Sequence, residues 1–308
     1  MIKDLEDGVS GSGNYIVKAL NKGIGSNGSV FLTITLQDAS GVIDAKKWSY
    51  EEGDDELFKI GNIVHVDADC VSFKDKLQLK VKRVSLMDIN NVDTSELIRE
   101  SEFSKDELIS KLNEFASNIE NENIKKIVIY VLKKYQDAYM SYPAAVSNHH
   151  DYLRGLFEHS ISMAEISSFI ASHYKEVNKD YLIAGSLLHD VGKVIELSGV
   201  IGTKYTTKGD LLGHLVIGEN IIQEVSKELN IEGEEVMILS HLVLSHHGEP
   251  EYGACVYPLT REALLLSMID DMDAKMKVLD KAYLNVDEGE FTERIFALGN
   301  RSFYKTKK

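Results

Sequence analysis

The hydrophobic period of this chain changes once, near residue 88, and that change limits the fold more than any other feature. Before it, NYIVKALNK, SVFLTITLQ, GVIDAKKW, NIVHVDADCVSF and KLQLKVKRV are short, rich in β-branched residues and separated by the turn signals GIGSNGS, QDASG, EEGDD and FKDK. Alternation puts Leu32, Ile34 and Leu36 on one face and Phe31, Thr33 and Thr35 on the other. In the last strand Leu77, Leu79 and Val81 alternate with Gln78, Lys80 and Lys82. Five such strands left as an open sheet would expose unpaired edges, so the pattern predicts a closed or nearly closed barrel over residues 1–88.

Beyond that point apolar residues recur at steps of three and four. Residues 89–145 read as charged helices, with Ser104 and Glu107 spaced as a capping box, and are expected to connect two domains. Residues 146–308 read as amphipathic helices to the end of the chain, broken by glycines. The expected fold class is multidomain α and β: a five-stranded OB-like barrel followed by an all-α bundle. The 308 residues are 44% hydrophobic and 27% charged with three prolines, which excludes a disordered or collagen-like chain. No stretch approaches the roughly 18 apolar residues of a membrane span, and MIKDLEDGVS is acidic where a signal peptide is basic. A cytoplasmic protein without membrane contact is expected. Cys70 and Cys255 form neither a disulfide framework nor a metal knuckle.

Histidine marks where chemistry is concentrated: nine of ten lie between His149 and His247. Leu156, His159, Met163, Ile166 and Ile170 share one helical stripe; Leu211, His214, Gly218, Ile221 and Val225 another; Val236, Leu239, Val243 and His246 a third. His189 and Asp190 end the helix YLIAGSLLHDVGK, which Gly192 is expected to terminate, and Asp270 sits one turn beyond Leu266. Singly, a His on an apolar stripe is most often a hydrogen-bonded core residue. Together, several imidazoles and carboxylates in one core carry a desolvation cost that a divalent cation relieves. Mixed nitrogen and oxygen donors suit Mn, Fe, Co, Ni or Zn better than Ca.

The order His159, His189-Asp190 and Asp270 resembles the HD phosphohydrolase superfamily, and His214 with His246-His247 resembles its two-metal subset. With the strand-rich front, the segments HDVGK, LLGHLVIGE, LSHHGEPEYGA and IDDMDAKM make nearly the whole chain similar to the YhaM-type 3′-5′ exoribonucleases. That resemblance implies one ion held by His159, His189, Asp190 and Asp270. A second would be held by His214, His246 and a bridging Asp190. Mn comes first among the metals implied, before Fe, Co, Ni or Mg. Asp190 and Lys193 are implied to be catalytic, Lys193 resembling the lysine of the HDxGK pattern that meets the scissile phosphate. His247, Arg154, His149, His150 and Asp273 are candidates for the surroundings of the ions or the substrate path. Glu158 reads as an exposed helix residue.

The net charge of −15 is the wrong sign for a protein that coats nucleic acid, so a polyanion must be met locally. Lys46, Lys47 and Trp48 close one strand, and Phe73, Lys74, Lys76, Lys80, Lys82 and Arg83 crowd the last hairpin. With Phe31 they suggest a basic face with stacking platforms for single-stranded RNA or DNA. Alternating lysines that keep an exposed strand soluble read equally well. The leading expectation is a metal-dependent exonuclease releasing nucleoside 5′-monophosphates from an RNA 3′ end. A phosphohydrolase of small nucleotides and a non-catalytic RNA-binding protein with a structural metal are the alternatives; homo-oligomers are compatible with each.

Overall fold

The computed structural model describes residues 1–26, 28–74, 76–88, 91–101, 103–144, 152–200, 203–284 and 286–307. The chain divides into two compact units, Met1–Glu100 with Val200–Thr203, and Ser101–Gly199 with Lys204–Lys308.

The first unit is a closed barrel of β1 (Ser10–Ile24), β2 (Val30–Asp38), β3 (Gly41–Lys47), β4 (Ile63–Phe73) and β5 (Lys76–Leu86). Around the barrel the order is β1-β2-β3-β5-β4, with β3 and β5 parallel and the other pairs antiparallel. Closure depends on the length of β1, whose first half pairs with β4 and whose second half pairs with β2. Between them the register shifts at Val17/Ala19, a bulge that bends one strand around a corner. Leu32, Ile34 and Leu36 all point inward and are fully buried. EEGDD is more than a turn: Asp54–Leu57 forms a single helical turn, α1, and delivers Phe58 as a fully buried plug. A four-residue helix is too short to carry a 3.6-residue signature.

After α2 (Thr94–Leu97), the second unit runs through α3 (Lys105–Ser117), α4 (Glu122–Lys134), α5 (Gln136–Tyr139), α6 (Gly155–His173), α7 (Lys179–Leu188), α8 (Lys193–Glu196), α9 (Thr207–Glu228), α10 (Glu234–Ser245) and α11 (Arg261–Tyr283). The Ser104–Glu107 capping box opens α3 as the spacing predicts. From Ser101 on, the segment expected to connect two domains belongs to the second unit, and Leu108, Leu112, Ile119, Ile124, Ile127 and Val131 join the same core as α6, α7, α9 and α10. At the middle of that core lies α7, with every residue from Leu182 to Leu188 buried. The chain does not stay helical to its end. Beyond α11, paired bridges Phe291–Tyr304 and Ile295–Arg301 make an antiparallel ribbon, turned through Gly299 at φ +72°. None of the described helices is long and apolar enough to cross a membrane.

Candidate metal centre

Because α7 is buried on all sides from Leu182 onward, its C-terminal end is carried into the interior, and His189 and Asp190 are 0% and 3% exposed. The remaining candidates converge there from four elements. His159 stands on α6, His214 on α9, His246 and His247 follow α10, and Asp270 and Asp273 lie on α11. The donor atoms of His159, His189 and Asp190 lie within 4.8 Å of one another, as do those of His189, His246 and Asp270, and those of His214, His246 and His247.

Each of the five imidazoles is tied at Nδ1. His159 donates to Asp273 Oδ2 at 2.7 Å, His189 to the Ser186 carbonyl at 3.0 Å and His214 to Glu196 Oε1 at 3.1 Å. His246 donates to the Val243 carbonyl at 2.7 Å and His247 to the Tyr252 carbonyl at 3.0 Å. Since a ring that donates from Nδ1 in its neutral form carries its lone pair on Nε2, these acceptors leave Nε2 as the ligating nitrogen of each ring and turn all five Nε2 atoms inward. The Nε2 atoms of His214 and His247 face each other at 3.3 Å, and those of His159 and His189 at 3.2 Å. Between the two groups stands Asp190. Its Oδ2 lies 3.3 Å from His189 Nε2, while Oδ1 lies 3.4 Å from His214 Nε2 and 3.6 Å from His246 Nε2. That buried Oδ1 has no hydrogen-bond partner among the described residues. An ionised oxygen facing imidazole lone pairs is a repulsive arrangement in a dry interior, and a divalent cation among them turns every term favourable. The donor set therefore fits metal.

The electrostatics agree. Burial would raise the Asp190 carboxyl, but Lys193, 2.6 Å away, and His189 hold it well below the usual carboxylate range. Asp270 is likewise held low against burial by His159, whose Nε2 lies 3.2 Å from Asp270 Oδ1. Burial pushes His159 down, but Asp270 and Asp273 outweigh it and raise the imidazole to about 10 in the metal-free protein. His246 and His247 are both pushed down, chiefly by burial.

Several expectations change. Lys47 is not on a nucleic-acid face: strand alternation turns it inward with Ile43 and Ala45, and Nζ meets Asp54 Oδ2 at 2.7 Å inside the barrel. Leu211 leaves the inward row of α9, 77% exposed, because Gly213 at φ +70° breaks the helix and rotates the preceding turn. Gly192 is no left-handed terminator; at φ −60° it brings backbone against backbone, and a Cβ there would lie 2.0 Å from the His214 carbonyl oxygen. Glu158 is 4% exposed and pairs with Lys277 at 2.8 Å. His247 joins the facing imidazoles rather than standing behind them. Asp273 stands behind His159, and Glu196 behind His214; a lone Glu in KVIEL was the sequence signal for the latter. Arg154, at φ +68°, precedes α6, its carbonyl accepting from Glu158. His149 and His150 lie outside the described residues.

On the barrel, Trp48 is half exposed with its ring 5.0 Å from that of Phe31, and Lys46 Nζ lies 5.1 Å from both. Lys46 is level with Lys80 on the parallel neighbour β5. Lys82 is partly neutralised by Asp69 at 2.5 Å. Lys76, Lys80 and Arg83 are exposed, as is Phe73, with Lys74 Nζ 5.5 Å from its ring.

Comparison with known proteins falls on these same elements. Residues 156–275 match the HD domain family. That stretch contains every ligand candidate named above, from His159 to Asp273. The barrel is similar to the second OB-fold domain of replication protein A from Methanococcus maripaludis, at 24% identity over 28% of this chain and 92% of that one, with a TM-score of 0.25. It is also similar to a mitochondrial single-stranded DNA-binding protein from S. cerevisiae, at 17% identity over 27% and 97%, with a TM-score of 0.22.

Proposed function

We propose that the chain is a metal-dependent 3′-5′ exoribonuclease that hydrolyses single-stranded RNA to nucleoside 5′-monophosphates. The observation that carries the reading is the orphan Asp190 oxygen among inward-facing imidazoles, within the stretch that matches the HD domain. Asp190 turns one oxygen toward each histidine group, so it would serve as a ligand together with His159, His189 and Asp270 on one side and His214 and His246 on the other. Mn is the proposed occupant. When bound, such ions supply an activated water and positive charge for the transition state.

The chain's own residues do the rest. His159, His189 and His246 are sealed from solvent while the His214 side chain is 13% exposed, so the phosphodiester enters beside His214 and His247. Lys193, held cationic by Asp190 against burial, is the group that would meet a non-bridging phosphate oxygen. Water adds to phosphorus, the 3′ oxygen of the shortened strand leaves with a proton, and the terminal nucleotide departs with its 5′-phosphate. Bases stacked on Trp48 and Phe31, with backbone phosphates at Lys46 and Lys80, hold the strand during successive cuts.

End-labelled RNA incubated with Mn²⁺ should shorten from its 3′ end with mononucleotide products, and Asp190→Asn should reduce turnover to that of the metal-free protein. Consumption of mononucleotides or cyclic nucleotides alone would replace the polymer reading with that of a small-nucleotide phosphohydrolase. Full turnover by Asp190→Asn would remove the metal site from the chemistry.

A further inference from the structure

Beside the ligand set lies an ion pair that the hydrolytic reading does not use. Glu158 immediately precedes His159 on α6, and Lys277 follows Asp270 and Asp273 on α11 at the i, i+3, i+7 spacing of one helical face. Lys277 Nζ lies 2.8 Å from Glu158 Oε1, with the Glu158 side chain 5% exposed. Burial would raise Glu158, but Lys277 and hydrogen bonds from Ser101 and Tyr152 hold it below its usual range. A buried pair of this kind contributes little net stability, because desolvation offsets attraction; what it does supply is register.

That register bears on one group of ligands. The pair and the Asp273 hydrogen bonds, from His159 Nδ1 and Ser162 Oγ, tie α6 to α11 at adjacent points. His159 Nε2 and Asp270 Oδ1, 3.2 Å apart, are the donors that those same two helices supply. His214, His246 and His247 stand on or after other helices. We infer that Glu158 and Lys277 are positioning residues for the ion held by His159 and Asp270, and leave the His214–His246–His247 ion untouched. The inference rests on the two-ion reading of the site.

Stepwise Mn²⁺ titration of the full chain, followed by calorimetry and by the electron paramagnetic resonance of free Mn²⁺, tests it. Lys277→Met should weaken one of two sites about 10- to 100-fold, the range for outer partners of metal ligands, and leave the other within twofold. Lys277→Arg should restore the weakened site. Should Lys277→Met fail to fold because it strands a buried carboxylate, the neutral pair Glu158→Gln with Lys277→Met gives the same reading. In a His214→Ala background the loss should persist, and in Asp270→Ala it should vanish. Equal weakening of both sites, or a lower melting temperature with both affinities unchanged, overturns the inference. A wild-type chain that binds no Mn²⁺ overturns instead the metal reading beneath it.

Discussion

Gly192→Ala is the smallest change that should separate the two ions. The added methyl would lie 2.0 Å from the carbonyl oxygen of His214 and 2.8 Å from the amide nitrogen of Gly218, both backbone atoms without a rotamer to yield. Real Cβ atoms essentially never approach nearer than 3.0 Å, so the segment after α7 and the start of α9 must part by about 1 Å, from 2.0 to 3.0 Å. His214 moves with its own carbonyl. Its Nε2 already stands 3.4 Å from Asp190 Oδ1, and metal–ligand distances tolerate only about 0.2 Å, so a shift of this size takes His214 out of coordination. Overpacking costs about 1–3 kcal/mol, which at 2–4 °C per kcal/mol lowers the melting temperature by roughly 2–12 °C. Metal analysis after gel filtration should find one tightly held Mn²⁺ per chain where the wild type holds two, with RNA hydrolysis reduced by about 100-fold, the cost of misplacing a reacting group by 1 Å. Two ions at undiminished affinity in a folded Gly192→Ala variant would refute the reasoning, because the close approach of α9 would then have no bearing on the site.

Protons should compete with metal. His159 rises from 6.5 to about 10 on folding, so the stability it contributes to the metal-free protein is complete below 6.5 and is lost as pH rises through about 10. Chelator-treated protein should therefore melt at progressively lower temperature from pH 7 to 10, and Mn²⁺ loading at pH 7 should release a proton, read by calorimetry in buffers of different ionisation enthalpy; heat independent of buffer refutes this. Lys47→Met strands the buried Asp54 carboxylate and should destabilise the barrel by about 3–5 kcal/mol in denaturant titration, without changing the salt slope of RNA binding. Lys46→Ala with Lys80→Ala should lower that slope by roughly 1.4, at about 0.7 per phosphate on a single strand. Trp48→Ala should weaken binding by about 1–3 kcal/mol, measured by fluorescence anisotropy with oligonucleotides; equal affinity for wild type and variant would mean that bases stack elsewhere.

What could be read from the sequence was set by periodicity, and what could not was set by atoms that have no letter of their own. His159 and His246 fall on apolar stripes, so their burial was legible, as was the inward run Leu32, Ile34 and Leu36. Lys47 was legible too: it shares the parity of Ile43 and Ala45, and alternation weighs more than its charge. Three of the five acceptors that orient the imidazoles are backbone carbonyls, at Ser186, Val243 and Tyr252, which any residue would supply. Gly213 and Gly192 look alike in sequence, yet one bends a helix through a positive φ and the other admits a neighbouring backbone at a helical φ. Only the packing of α9 tells them apart. Glu158 reads as exposed because its neighbour His159 occupies the apolar stripe, but the first turns of α6 are buried all round, from Gly155 to Ile161, and Lys277 on α11 meets the carboxylate there.

The placement of Asp190 gives the strongest physical argument that this cluster exists for cations. An acidic group is stabilised at a helix N-terminus, where the amide dipoles are positive, and opposed at the C-terminus, where Asp190 stands at the end of α7. Burial opposes it again, and its free oxygen points at nitrogen lone pairs instead of donors. Lys193 answers for one oxygen only, at 2.6 Å from Oδ2. A core assembled for stability would carry a neutral residue at such a position, since replacing an unsatisfied buried charge by a well-packed apolar side chain is neutral or stabilising. Here the same geometry is repeated around it: each imidazole is fixed from outside by an acceptor on Nδ1, and His189, His214 and His246 turn Nε2 toward the Asp190 carboxylate. Held by that outer layer, Asp190 Oδ1 and the Nε2 atoms of His214 and His246 form a donor group whose mutual opposition a divalent cation would relieve.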